Sequence, residues 1–320
     1  MLKTITSDHI QSISGMDATF LYVETPTSPM HVGAVAIIEG GLRFEDFRAT
    51  IEQRIHLIPN LRRRLVEVPL SIDYPYWVND PYFDLDLHLK HMALPSPGGW
   101  KELRHLAASI FSEPLDKSRP LWSFTFLEGL NSIPQVPAGS VAIVSKIHHV
   151  AIDGMAGAGI LSLLFDLSPK PFKQPKPKPF KPKPLPNELA MVARSTLSFA
   201  KAPLKFPKLL KDTIAATLKS GFLTRAQLAA LPTAPFTAPP TPLNGIVSAR
   251  KKWNTVILEL DRVKALKNIM GTTLNDVVLA ICAGALRRYL LEKEKLPRKP
   301  LVAMVPISTR TADDEQAGNK

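Results

Sequence analysis

The residues with the clearest chemical potential lie in Val141-Ala-Ile-Val-Ser-Lys-Ile-His-His-Val-Ala-Ile-Asp-Gly154. An apolar run delivers two adjacent histidines, and an Asp-Gly pair closes the segment. An imidazole with an unperturbed pKa of about 6.5 is the usual general base at neutral pH. Side chains alternate along a strand, so His148 and His149 point to opposite faces. One can face a cavity while the other supports the scaffold. Asp153 lies four positions beyond His149, where a loop can return its carboxylate to orient the imidazole or anchor the loop. Gly154 permits a tight turn before the next helix. The competing structural reading is two core histidines and a plain turn pair. Adjacent strand histidines diverge and no third ligand has recognisable spacing, so a metal site is not expected.

Other chemistries lack their motifs. There is no Gly-x-Ser-x-Gly elbow. Gly154-Met-Ala-Gly-Ala-Gly159 has the wrong spacing for a dinucleotide fingerprint, and no Gly-Lys-Ser/Thr is present. Cys282, the single cysteine, excludes a disulfide framework and cysteine-based metal sites. It sits in an apolar run and is expected to be buried. Asn275 and Asp276 stand at a helix start, where they can serve as caps or stabilise negative charge on a substrate oxygen. Pro120-Leu121-Trp122 opens a strand, and core packing is its plain reading.

The elements that must position these groups form a mixed α/β (α+β) pattern. Strands are expected at 31–38, 76–78, 88–92, 122–127, 141–149, 255–260 and 301–305. Helices are expected at 44–57, 100–111, 153–167, 261–269 and 273–292. Three regions follow: 1–167, a linker at 168–242, and 243–320, which is about half the length of the first.

The chain has 320 residues, a formal charge of +12 and 45% hydrophobic residues, enough for packed cores. The charge is local. Residues 168–225 hold 13 Lys or Arg against Glu188 and Asp212, and the rest of the chain carries only +1. Half of the 30 prolines fall within 168–242. Such a stretch reads as an extended linker that ends in a basic amphipathic helix near 207–221. Docking on an anionic membrane surface is one reading, and a helix packed on its own protein is the other. No zinc-finger, RNP-like or helix-turn-helix pattern supports a nucleic-acid partner. Neither a membrane span nor a signal-peptide core is read, so a cytoplasmic protein, peripheral on membranes, is expected.

His148-His-Val-Ala-Ile-Asp153-Gly154 matches the HHxxxDG motif of the chloramphenicol-acetyltransferase-like superfamily. Pro120-Leu-Trp122, Asn275-Asp-Val-Val-Leu-Ala280, Ser14-Gly-Met-Asp-Ala-Thr-Phe-Leu21 and Pro29-Met-His-Val-Gly33 narrow the match. Together they resemble the bacterial wax ester synthase / acyl-CoA:diacylglycerol acyltransferase family. The order from Pro242-Leu-Asn-Gly245 to Val305-Pro-Ile-Ser-Thr-Arg310 also follows that family. The resemblance implies a two-lobed fold with an incomplete second lobe and a tunnel between the lobes. It implies acyl-CoA as co-substrate, with no resident cofactor, and diacylglycerol or a long-chain alcohol as acceptor at a membrane or lipid-droplet surface. His149 would be the general base, His148 its support, and Asp153 a loop anchor with Arg310 as partner. Gly154, Asn275, Asp276, Pro120, Leu121 and Trp122 would shape the substrate site. The alternative is a truncated, non-catalytic lipid-surface protein.

Overall fold

A computed structural model describes residues 10–152, 164–165, 179–201 and 238–303. The chain divides into two compact units, Met1–Leu209 with Val247–Thr255 and Leu210–Ile246 with Val256–Lys320.

The first unit is built on two sheets. A small antiparallel sheet has the order β1 (Ile10–Ser12), β4 (Tyr76–Asn79), β3 (Arg63–Val66). A four-stranded sheet has the order β2 (His31–Ile38), β7 (Val141–His148), β6 (Trp122–Glu128), β5 (Leu89–Ala93). β2, β7 and β6 are antiparallel, and β5 pairs parallel with β6. A parallel pair needs a crossover. Helix α3 (Trp100–Ser112) supplies it. Its start is fixed by Gly98 and by Gly99, whose N–H donates to Glu102 Oε2 at 2.9 Å. At φ +72 a Cβ on Gly98 would stand 1.9 Å from the Gly129 carbonyl oxygen, so only glycine fits.

β7 is the spine of this unit, and every residue in it is buried. Its odd residues Val141, Ile143 and Ile147 join a core with Phe124, Phe126 and helix α2 (Phe44–Arg54). Its even residues Ala142 and Val144 pack with Leu103, Ala107 and Ile110 of α3. A strand covered on both faces reads as a continuous apolar run, which is how this segment looks in sequence. Helix α1 (Gly15–Tyr22) precedes β2; Ser14 caps it by accepting the Asp17 N–H at 3.0 Å.

Part of the Pro/Lys-rich stretch is ordered against this unit. Helix α4 (Glu188–Lys201) buries Met191 with Val68 and Tyr76, and Arg194 donates to the Ile10 carbonyl at 3.1 Å. Phe180 lies under the Arg62 guanidinium at 4.3 Å. The composition of 168–242, averaged over its length, hid a helix with one apolar stripe. The expected amphipathic helix near 207–221 lies outside the described residues, as does nearly all of the helix expected at 153–167.

In the second unit, α5 (Leu260–Met270) ends at Gly271 in the left-handed conformation, and α6 (Leu274–Glu292) follows. The strand expected at 255–260 is not formed: residues 255–259 are irregular and Leu260 begins α5. An apolar, β-branched run becomes a strand only where a neighbour completes its ladder, and none does so among the described residues. Residues 301–303 are likewise irregular. Cys282 is exposed, against expectation, because nothing among the described residues covers its side of α6. Val278, Leu279, Ile281 and Leu286 on the same helix are exposed too. No single helix among the described residues is long and apolar enough to cross a membrane.

Candidate active site

β7 ends at His148, and residues His149–Ile152 form a 3-10 turn. The two histidines have opposite surroundings. His148 is 1% exposed, whereas His149 is exposed.

Every polar group of His148 is directed inward. Its backbone N–H donates to the Leu121 carbonyl at 2.9 Å. Its Nδ1 accepts the Val150 N–H at 3.1 Å. That bond places the ring proton on Nε2, which lies 3.5 Å from Glu24 Oε1. With Nδ1 occupied and Nε2 protonated, His148 has no free lone pair to accept a proton. Burial lowers its pKa below the ordinary histidine range, against the opposing charge of Glu24.

Glu24 follows α1 and is itself 6% exposed at the side chain. Its Oε1 accepts the Met30 N–H at 3.1 Å and its Oε2 pairs with Lys117 Nζ at 2.7 Å. Burial raises its pKa, but the Lys117 and Met30 hydrogen bonds and the neighbouring charges outweigh this and hold it below the usual carboxylate range. Met30 also serves His149: its carbonyl accepts the His149 N–H at 2.8 Å. One residue's backbone therefore holds both the carboxylate behind His148 and the start of the His149 turn. The imidazole of His149 stacks on Phe20 of α1, with centroids 3.8 Å apart and planes 14° from parallel. Asn60 donates to the Ala151 carbonyl at 3.3 Å and steadies the turn. The result is an accessible imidazole whose ring plane is fixed, next to one that is buried and bonded.

A second tier supports the first. His31 of β2 is the cross-strand partner of His148. The His148 N–H points to β6, so this is a close, non-hydrogen-bonded pair whose side chains share a face. His31 Nε2 donates to the Phe111 carbonyl at 3.0 Å. Burial and the nearby Lys146 charge lower its pKa to about 4, so it is neutral at pH 7. Lys146 is 3% exposed, and its Nζ donates to the Ile110 and Glu113 carbonyls at 2.9 and 2.8 Å. A cation on the last carbonyls of α3 is favoured by the helix dipole. Burial nevertheless lowers the Lys146 pKa to about 8. The Phe111 ring rests on Gly33, where a Cβ would stand 2.1 Å from Phe111 Cε1.

Pro120, Leu121 and Trp122 are all buried. Leu121 offers the carbonyl that receives His148. Trp122 Nε1 donates to the Leu61 carbonyl at 2.8 Å, and the indole stacks on His88 at 4.5 Å. These residues anchor the strand beside the site. In the second unit, Asn275 is exposed. Asp276 forms a capping box: Thr273 accepts the Asp276 N–H at 3.2 Å, and Asp276 Oδ2 accepts the Thr273 N–H at 2.9 Å. Asp153, Gly154 and Arg310 lie outside the described residues. Among the described residues no group of three His, Cys, Asp or Glu is placed to hold a metal ion.

Sequence reasoning missed Glu24, Lys117, Phe20 and Lys146. Their partners are remote in sequence. The one local signal is that Glu24, Phe20 and Met30 lie within or between the two N-terminal signature segments.

Known proteins similar to this chain fall in one family. The model of the wax ester synthase/diacylglycerol acyltransferase catalytic domain matches residues 13–278. A Mycobacterium tuberculosis (strain CDC 1551 / Oshkosh) protein named as a diacylglycerol O-acyltransferase is 37% identical over 316 residues, covering 97% of this chain and 61% of that protein. A Mycobacterium bovis protein of the same designation is 33% identical, over 94% of this chain and 65% of its own length. The solved wax ester synthase/diacylglycerol acyltransferase from Marinobacter aquaeolei VT8 superposes with a TM-score of 0.57 at 26% identity, over 93% of this chain and 65% of that one. The chain thus spans less than two thirds of the length of these relatives. From residue 13 to residue 278 the chain belongs to the wax ester synthase/diacylglycerol acyltransferase family.

Proposed function

We propose that this chain acts as an acyl-CoA-dependent O-acyltransferase that acylates diacylglycerol, a long-chain alcohol, or both. The observation that carries the proposal is the contrast between the two histidines. His148 has no lone pair to offer, whereas His149 presents an oriented, accessible imidazole.

His149 takes the proton from the acceptor hydroxyl as its oxygen attacks the thioester carbonyl. The tetrahedral oxyanion collapses, the carbon–sulfur bond breaks, and the CoA thiolate receives the proton back from His149. The products are an ester and free CoA, with no covalent enzyme intermediate. Acyl-CoA is consumed as a substrate, and the reaction needs no resident cofactor.

His148 acts as the fixed support of the turn, and the motif resemblance assigns Asp153 a loop-anchoring role and Gly154 a role in substrate binding. The motif resemblance assigns Asn275 and Asp276 to the substrate site, and Asp276 secures the start of α6. Pro120, Leu121 and Trp122 serve the site through the Leu121 carbonyl and the packing of β6. The lysines of 168–221 hold the chain at a membrane or lipid-droplet surface, where apolar acceptors reside.

The test is ester formation from acyl-CoA and diacylglycerol or hexadecanol by the wild-type chain and His149→Ala. Loss of the ester product in the variant supports the reading. Turnover surviving in it removes His149 as the base.

A further inference from the structure

We propose that a basic cleft on the first unit binds the nucleotide phosphates of acyl-CoA. This inference rests on the acyltransferase reading and gives its donor a second anchoring point, remote from the thioester. The cleft has a volume of about 480 Å³, and Thr27, Ser28, Arg250, Lys251 and Lys252 supply its polar wall. Among the described residues no acidic one lines it. No carboxylate among the described residues pairs with Arg250, Lys251 or Lys252. Consecutive cations without counter-ions repel one another, and a polyanion relieves that repulsion.

The basic segment is held in place by groups other than its charged ends. The Lys251 N–H donates to Ser112 Oγ at 3.0 Å, and Trp253 Nε1 donates to the Arg104 carbonyl at 2.9 Å. Arg104 also bonds the Asn254 side chain. The segment is thereby fixed along α3, leaving the charged ends of Arg250 and Lys252 exposed. The facing wall is a tight turn in which the Ser28 N–H donates to the Thr25 carbonyl at 3.0 Å.

That turn links the cleft to the reacting end. Ser28 is two residues from Met30, a span of at most about 7 Å of extended chain. The Met30 carbonyl bonds the His149 N–H at 2.8 Å. A ligand with phosphates at one end and a thioester on a flexible arm can reach from the cleft to this turn. The Lys251 charge is also among those that keep His31 neutral, which places the cleft in electrostatic reach of the second tier of the site.

The experiment titrates the 320-residue chain with CoA and with S-acyl pantetheine, which lacks the nucleotide phosphates. Arg250→Gln/Lys252→Gln is compared with wild type, with circular dichroism as the fold control. The expected result is a rise of about tenfold or more in the Kd for CoA, with the pantetheine thioester unaffected. Wild-type CoA binding should also weaken as salt is raised. Unchanged CoA affinity in the double variant overturns the cleft, as does a wild type that does not bind CoA. A variant that loses binding to phosphatidate-containing vesicles but keeps CoA also overturns it, assigning the cleft to a lipid surface instead. If wild type forms no ester but its CoA binding falls in the variant, the acyltransferase reading fails and the cleft stands. If ester forms with an unchanged KM for acyl-CoA in the variant, the cleft fails and the acyltransferase reading stands.

Discussion

Two neighbouring residues at the end of β7 have the same side chain and opposite circumstances. His148 is enclosed, accepts a backbone N–H, and faces a carboxylate that is itself held by Lys117 and Met30. His149 is exposed, and its ring is fixed by one aromatic stack. Removing the first should disturb the scaffold. Removing the second should disturb the chemistry and little else. The contrast separates holding a site together from using it.

Substitutions can break or sharpen that contrast. His149→Ala should show the largest effect on rate, a loss of roughly 10²-fold or more in ester formation. Its urea midpoint should stay close to wild type. A large fall in stability would erase the distinction. His148→Ala should do the reverse in stability, losing about 2–4 kcal/mol in denaturant titration through the cavity and the unsatisfied Val150 N–H. His148→Gln, which retains a hydrogen-bonding end, should recover part of that loss.

Trp122→Phe removes the bond to the Leu61 carbonyl while keeping an aromatic ring beside His88. It should cost about 1–3 kcal/mol, read as a lower melting temperature, with KM for acyl-CoA unchanged. Glu24→Gln should cost about 1 kcal/mol at neutral pH and lower kcat more than it raises KM. Because the Glu24 pKa is held down in the fold, its contribution is present above the ordinary glutamate range and is lost as pH falls through the lowered value. The variant should therefore lose less stability on acidification than wild type does.

The effect that is smallest at neutral pH, because it develops only on acidification, concerns His31. Its pKa is lowered to about 4 in the fold against about 6.5 unfolded. The unfolded chain binds the extra proton first, so stability falls as pH drops from about 6.5 to about 4. Urea midpoints measured across that window should fall less steeply in His31→Asn. An unchanged slope would remove His31 from the acid response.

The sequence was most legible where burial imposes a period. β2 and β7 run over the residues that alternation and apolar continuity picked out, apart from one residue at the end of β7. The divergence of His148 and His149 was legible for the same reason, since it depends only on the pleat. The Glu24–Lys117 pair was not legible, because it joins segments 93 residues apart and no local pattern specifies it. Helix α4 was masked by prolines and lysines on both sides, which dominated the average while Met191 and Ser195 became buried. The run at 255–260 failed in the opposite direction. Its residue types favour a strand, but strand formation depends on a partner that the local sequence does not contain.

Met30 offers a last consequence. Its contributions to Glu24 and to His149 both come from main-chain atoms. The side chain at this position can therefore be varied without deleting either bond, and a library of substitutions at Met30 should be broadly tolerated. Proline is the exception, since it lacks the N–H that Glu24 receives. A position whose role resides in the backbone is robust to most point mutations and fragile to one, a signature that a saturation scan of this turn would reveal.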